Sequence, residues 1–181
     1  LLIPAITMRS FSEEKKSGTI ELLFTKPLTD LEIILAKYFA GFVLVLLALI
    51  PTLIFFLSIG YMGSPQWNID TGGTWGSYIG LLFLGGGFVS IGLFASAISD
   101  NQVVAFILAM LLCLLCYMGF EMISWMEALG RFDFFIVKLG MFEHYQAVSK
   151  GALDTRDLVY FLSVIAFFIL LTKTVLATRN R

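Results

Sequence analysis

Four long stretches of the chain carry almost no charge: Tyr38–Met62, Trp75–Ile98, Gln102–Ile123 and Leu158–Leu176. The first two have no charged residue. The third holds only Glu121 and the fourth only Lys173, each near its end. About 20 apolar residues in a helix cross the ~30 Å hydrocarbon core of a bilayer. Lipid offers the backbone no hydrogen-bond partners, so spanning segments must close their own bonds as helices. The pattern predicts an all-α polytopic transmembrane bundle of four full spans. Four buried helices of a soluble protein would show charged faces at helical spacing, and these stretches have none. Leu1–Met8 is apolar too and reads as the end of a truncated fifth span, which makes the sequence a fragment.

Polar segments set the topology. Arg9–Lys37 and the C-terminus hold eight of the basic residues, and Ser124–Asp157 holds Arg131, Lys138, Lys150 and Arg156. Lys and Arg concentrate on the cytoplasmic side. That places Arg9–Lys37 and the C-terminus in the cytoplasm. Trp67, Trp75 and Trp125 fall near the opposite ends of spans, where aromatic rings favour the headgroup level. Ser99-Asp100-Asn101 is an abrupt turn between two spans.

Composition agrees. The chain is 59% hydrophobic and 14% charged, against about 25% charged in soluble domains. A net charge of −1 gives no basic footprint for nucleic acid. Cys113 and Cys116 lie in an apolar stretch without further ligands, so no metal site is expected, since zinc takes about four ligands. No cofactor is expected on this chain, which has no phosphate-binding loop of the G-x-x-x-x-G-K-[ST] type. Neither H-E-x-x-H nor paired intramembrane aspartates occur, so a membrane enzyme is not indicated.

Arg9–Lys37 has the richest local pattern. Ser10-Phe11-Ser12-Glu13 fits a capping box. Gly18 interrupts it, and Thr19–Phe24 has Ile20, Leu23 and Phe24 at helical spacing until Pro27 stops it. Thr29-Asp30-Leu31-Glu32 is a second capping box, with Leu28 and Ile33 as a hydrophobic staple. From there one helix runs straight into the membrane. The short amphipathic helix suits a lipid surface or the groove of a cytoplasmic partner. Five acidic and five basic residues count weakly against anionic lipid.

Other residues carry paired readings. Pro51, inside the first long span, is a hinge or a static kink. Gly85, Gly86 and Gly87, with Gly80 and Gly92, slim the second span for close helix contact, within the chain or across a dimer. Glu121 is a transport-path residue or an outer-interface residue. His144 is expected to be a surface histidine. Phe132–Leu139, bracketed by Gly130 and Gly140, reads as a short element in the outer interface. Asp154 and Asp157 suit the start of the last span.

The run Glu14-Lys15-Lys16-Ser17-Gly18-Thr19-Ile20-Glu21-Leu22-Leu23, with Pro27 and Lys37, resembles the E-x-x-x-G-T-x-E-x-L-L…P…K signature of ATP-binding-cassette (ABC) type-2 permeases. Ile3–Ser12, Ile50-Pro51-Thr52, Asn68-Ile69-Asp70, Asn101–Ala109 and Asp154–Leu162 are similar to the gliding-motility-associated branch of these permeases. The resemblance implies a six-span protein of which this fragment lacks the first span and most of the second. It implies one permease domain over 1–181, a cytoplasmic coupling segment over 9–37 and a re-entrant outer segment over 124–157. Glu14, Gly18, Thr19, Glu21, Leu22 and Leu23 fall on the coupling motif. Gly18 would allow a turn, Thr19 would cap the short helix, and Glu14 and Glu21 would pair with an ABC ATPase subunit, or stay solvated. ATP would bind that partner. A second permease, related or identical, would complete the pore in the bacterial inner membrane, and export linked to gliding motility would be the role. A secondary transporter, a channel and a non-transporting anchor of a motility or secretion machine are the rivals.

Overall fold

The computed structural model describes residues 1–19, 28–64, 70–125, 138–151 and 154–179. Eight α-helices occur among them: α1 Leu2–Thr7, α2 Arg9–Lys16, α3 Asp30–Met62, α4 Thr71–Ile98, α5 Gln102–Leu114, α6 Phe120–Trp125, α7 Met141–Ser149 and α8 Thr155–Arg179. A π-helical turn, Leu115–Gly119, joins α5 to α6. No strand occurs among the described residues. Among the described residues four helical runs are long and apolar enough to cross a membrane: Asp30–Met62, Thr71–Ile98, Gln102–Met122 and Thr155–Thr178. The all-α polytopic bundle is thus the observed fold.

The helices start and stop where local chemistry dictates. Thr29 caps α3 as the second capping box requires: its hydroxyl accepts from the Glu32 N–H, and Glu32 Oε2 accepts from the Thr29 N–H at 2.8 Å. Leu28 stays exposed while Ile33 is buried. At 33 residues, α3 is about 50 Å long at 1.5 Å per residue. Its first turns, with Asp30, Glu32 and Lys37, therefore extend beyond an apolar slab. Asp70 caps α4 through the Gly73 N–H at 3.0 Å. Asn101 caps α5 through the Val103 N–H at 3.0 Å, which makes Ser99–Asn101 the expected tight turn. Asp154 Oδ1 accepts from the Arg156 N–H at 3.1 Å at the start of α8.

Helix α4 is the axis of the bundle. Its glycines let neighbours approach on several sides. Val45 of α3 sits against Gly85, Tyr38 and Phe42 of α3 and Ile165 of α8 against Gly86, and Met141 of α7 against Gly87. Gly41 of α3 receives Val89 in return. Helix α3 runs antiparallel to α4, with Gly41 beside Val89 and Thr52 bonded to Tyr78 at 3.0 Å. Helix α8 runs parallel to α4, with Phe161 stacked on Phe83 and Phe168 edge-on to Phe94. The end of the bundle holding Lys16, Asp30 and Ser99 is called the near face, and the end holding Asp70 the far face. One apolar core, including Phe11, Ile34, Val89, Leu93, Ala97 and Leu176, sits toward the near face. Much of α3 is not covered by this chain. Phe39, Leu47, Ile50, Ile54, Phe55 and Ile59 are exposed, as lipid-facing or partner-facing side chains of a span would be.

Candidate functional site

The candidate site is the near-face end of α2, through Thr19. Helices α1 and α2 lie along the near half of α4. Ile3 faces Gly85, Thr7 faces Gly92, and Phe11 and Ser12 meet Ser96. The expected capping box at Ser10–Glu13 does not form. Helix α2 begins at Arg9, so Ser10 lies inside it, and its N-cap position is Met8, which has no capping side chain. The cap comes from another helix. Ser96 Oγ accepts from the N–H groups of Phe11 at 3.0 Å and Ser12 at 3.1 Å, and donates to Met8 O at 3.0 Å.

The other end is tied in return. Lys15, its side chain 1% exposed, donates to Ala97 O in the last turn of α4 and lies 3.8 Å from Asp100. A cation is favoured at a helix C-terminus. Thus α4 caps the start of α2 and α2 caps the end of α4. Helix α3 joins the same cluster. Lys37 Nζ forms an ion pair with Glu14 Oε1 at 2.5 Å, donates to Ser10 O at 2.5 Å and sits 4.7 Å from the centre of the Phe11 ring.

The chain then leaves sharply. Ser17 N–H reaches Glu13 O at 2.9 Å and Gly18 N–H reaches Lys15 O at 3.2 Å. Gly18 follows with φ +71°, as the left-handed residue that ends many helices. Thr19 Oγ1 is 2.8 Å from Ser17 Oγ and donates back to Glu14 O at 3.4 Å, so it rests on the end of α2. Glu21, Leu22 and Leu23, with the amphipathic helix expected around them, lie outside the described residues.

A family model described as ABC-2 family transporter protein matches residues 1–180. The chain belongs to the ABC-2 transporter family. No curated protein sequence matches it. As an ABC-2 family member with four helices among the described residues that are long and apolar enough to cross a membrane, it is the multi-pass membrane subunit of an ABC transporter, and the transmembrane part is not itself the catalyst.

The remaining sequence-predicted positions of this ABC-2 protein lie away from the near face. Pro51 is exposed in the middle of α3, which stays one continuous helix from Asp30 to Met62. Just after it, Thr52 donates to Leu49 O at 2.6 Å and bonds to Tyr78 of α4. Gly85, Gly86 and Gly87 meet side chains of α1, α3, α7 and α8, so their faces are taken by this chain's own helices. Glu121 is half-buried and lines a cavity of 240 Å³ with Tyr117, Phe142, Glu143 and Gln146. A second cavity of 510 Å³, walled mostly by apolar side chains of α1, α3, α4 and α5, lies beside Gly85. Among the described residues no three His, Cys, Asp or Glu side chains gather to hold a metal ion.

His144 is not a surface histidine. Its side chain is 18% exposed, stacks on Tyr160 with 3.9 Å between ring centres, and bonds through both ring nitrogens. The sequence could not show this, because its partners Lys138, Asp157 and Tyr160 are up to 16 positions away. Ser96 and Lys15 were also missed. Ser96 is a small residue in a span rich in small residues, and Lys15 reads as one more charge in a polar segment.

Proposed function

We propose that the near face is cytoplasmic and that Arg9–Lys37 is the coupling segment on which a separate ABC ATPase subunit acts. ATP would be bound and hydrolysed by that partner. The observation that carries this reading is the mutual capping of α2 and α4, joined by the Glu14–Lys37 pair to α3. A push on the connection after Gly18 is delivered to three helices at once. Buried hydrogen bonds resist it as a unit, because leaving any of these groups unpaired costs about 1–3 kcal/mol. Glu14 serves inside the chain in this scheme, as the brace between α2 and α3. Glu21, Leu22 and Leu23 supply the contact with the ATPase.

The basic residues of Arg9–Lys37 and of the C-terminus support the orientation. On the far side, α7 lies along α4 from Met141 at Gly87 to Val148 at Gly76. Eleven residues of α4 correspond to a depth of about 16 Å, which supports reading α7 as the rising limb of a re-entrant outer element. Export, and a second permease or second copy completing the pore, rest on the resemblance to type-2 permeases, and a place in bacterial gliding motility rests on the sequence blocks that resemble the gliding-motility-associated branch.

The test is a pull-down of the full-length chain from native membranes, with ATPase assay of what co-purifies. Gly18→Pro cannot adopt φ +71°, and Glu21→Lys reverses a contact charge. An ABC ATPase that co-purifies with the parent and is lost or uncoupled in both variants supports the reading. Absence of an ATPase, with variants behaving like the parent, would replace it with an anchor or a secondary transporter.

A further inference from the structure

The only histidine in the sequence joins three parts of the far half of the bundle. His144 belongs to α7. Its Nδ1 lies 2.6 Å from Asp157 Oδ1 in the first turn of α8. Its Nε2 lies 2.9 Å from Lys138 O, in the turn before α7. Tyr160 of α8 stacks on the imidazole and donates its hydroxyl to Leu139 O at 2.5 Å. Asp157 is 6% exposed.

A backbone carbonyl only accepts, and an ionised carboxylate only accepts. Both ring nitrogens therefore face acceptors. A neutral imidazole carries a single N–H, so it satisfies one of the two and turns a lone pair toward the other. The arrangement closes only with one additional proton on the pair. Asp157 sits in the first turn of α8, where negative charge is favoured. Tyr160 presents its ring face to the imidazole, where a cation is favoured.

We propose that His144 is a one-proton latch holding α7 and its preceding turn to α8. With both nitrogens protonated the latch is closed. When the proton leaves, one nitrogen–oxygen contact becomes lone pair against lone pair, and α7 is released from α8. The titratable side chains near the ring come from each packed element. Among the described residues, the titratable or charged side chains on these elements are Lys138 in the turn before α7, Glu143 and Tyr145 on α7, Asp157 and Tyr160 on α8, and Cys116 and Tyr117 on the π-helical turn. None of these lies across the two ring nitrogens except Asp157. The latch goes beyond the transporter reading and does not depend on it, since it concerns proton binding by this chain alone.

The His144→Gln variant assigns the ring signals of His144. The full chain, with ¹⁵N-histidine, is placed in lipid nanodiscs without any partner and titrated from about pH 5 to about pH 9. Ring ¹⁵N shifts distinguish two N–H groups from one. Hydrogen exchange of the Met141–Ser149 amides, corrected for its intrinsic pH dependence, reports release of α7. The expected result is two N–H groups at the acid end and one at the alkaline end. Over the same interval protection of α7 should fall roughly tenfold, the loss of one charge-assisted bond. His144→Gln should show low protection that does not change with pH, and Asp157→Asn should lose the second N–H where the parent keeps it. A ring with one N–H throughout, or protection in the parent that stays flat while the ring titrates, would overturn the latch. Both decisive readings come from the parent chain, so a variant that fails to fold leaves the test intact.

Discussion

Ser96 holds the amino end of α2 by accepting the backbone N–H of Phe11, at 3.0 Å, across a sequence separation of 85 residues. The same oxygen accepts from Ser12 and the hydroxyl donates to Met8 O. A hydroxyl has one donor and two acceptor sites, so all three are used. A helix N-terminus leaves its first N–H groups without partners, and here a neighbouring helix supplies what a local serine usually would. The result fixes both the position and the rotation of α2 against α4.

Ser96→Ala should therefore cost more than an ordinary serine deletion. It leaves two buried N–H groups without an acceptor, at about 1–3 kcal/mol for an unmet buried group. Thermal unfolding in detergent should show a clear drop in Tm, and amide exchange at Phe11 and Ser12 should rise by an order of magnitude or more. Ser10→Ala, which alters the serine inside α2, should leave both unchanged. Equal effects of the two changes would refute the assignment of the cap.

The glycines of α4 should differ sharply in their tolerance of alanine. Alanine favours a helix by about 1 kcal/mol over glycine, so the sign depends on what the new methyl meets. At Gly87 it meets the end of the flexible Met141 side chain at 3.3 Å, and Gly87→Ala should be near neutral. At Gly92 it runs into the Thr7 side chain, whose Cβ is 2.8 Å away, and Gly92→Ala should destabilise by roughly 2 kcal/mol. At Gly76 it meets backbone, Val148 O at 2.5 Å and Gly151 at 2.9 Å, which cannot swing aside. Gly76→Ala should cost roughly 3 kcal/mol. Unfolding midpoints that do not follow the order Gly87, Gly92, Gly76 would show that the packing is different.

Much of this architecture was legible in the sequence. The uncharged stretches marked the spans because a bilayer imposes length and composition together. The cap at Thr29, made by neighbours in sequence, was read from the Thr29–Glu32 pattern, and the caps at Asp70 and Asn101 obey the same local preference of helix starts though they were not singled out. The site was readable only where its bonds are local. Gly18 stood out because a left-handed turn selects glycine. Ser96, Lys15 and His144 did not, because each acts on a partner brought near only by packing. Ser10–Glu13 carried a valid capping pattern and was overruled, since α1 and α2 follow one another across Met8 and the start of α2 is bonded by Ser96.

The exposed capping box at Thr29 should matter locally and little elsewhere. Its bonds join Thr29 and Glu32 at the solvent-exposed start of α3. Thr29→Ala should cost about 1 kcal/mol of helix-end stability. That should appear as faster exchange over Asp30–Ile34, with the unfolding midpoint nearly unchanged, and Thr29→Ser should restore it. A large drop in the midpoint would mean that the box supports more than the helix end.

The Glu14–Lys37 pair offers the sharpest energetic test of how α2 is braced to α3. Both side chains are less than a third exposed, at 28% and 19%, so solvent screens the pair less than an open surface bridge. Lys37 also serves Ser10 O and the face of Phe11. Lys37→Met keeps the apolar stem but leaves the Glu14 carboxylate without its cation, and Glu14 Oε2 is already buried without a hydrogen-bond partner. Lys37→Met alone should therefore be clearly destabilising. Glu14→Gln alone should be milder, since the amide can still accept from Lys37. Because the cation that each change depends on is shared, the double variant should lose about 1–2 kcal/mol less than the two single losses together. The coupling should persist as salt is raised, since the pair is partly shielded. Strict additivity in detergent unfolding, or a coupling that vanishes with moderate salt, would show that α2 and α3 are not braced through this pair.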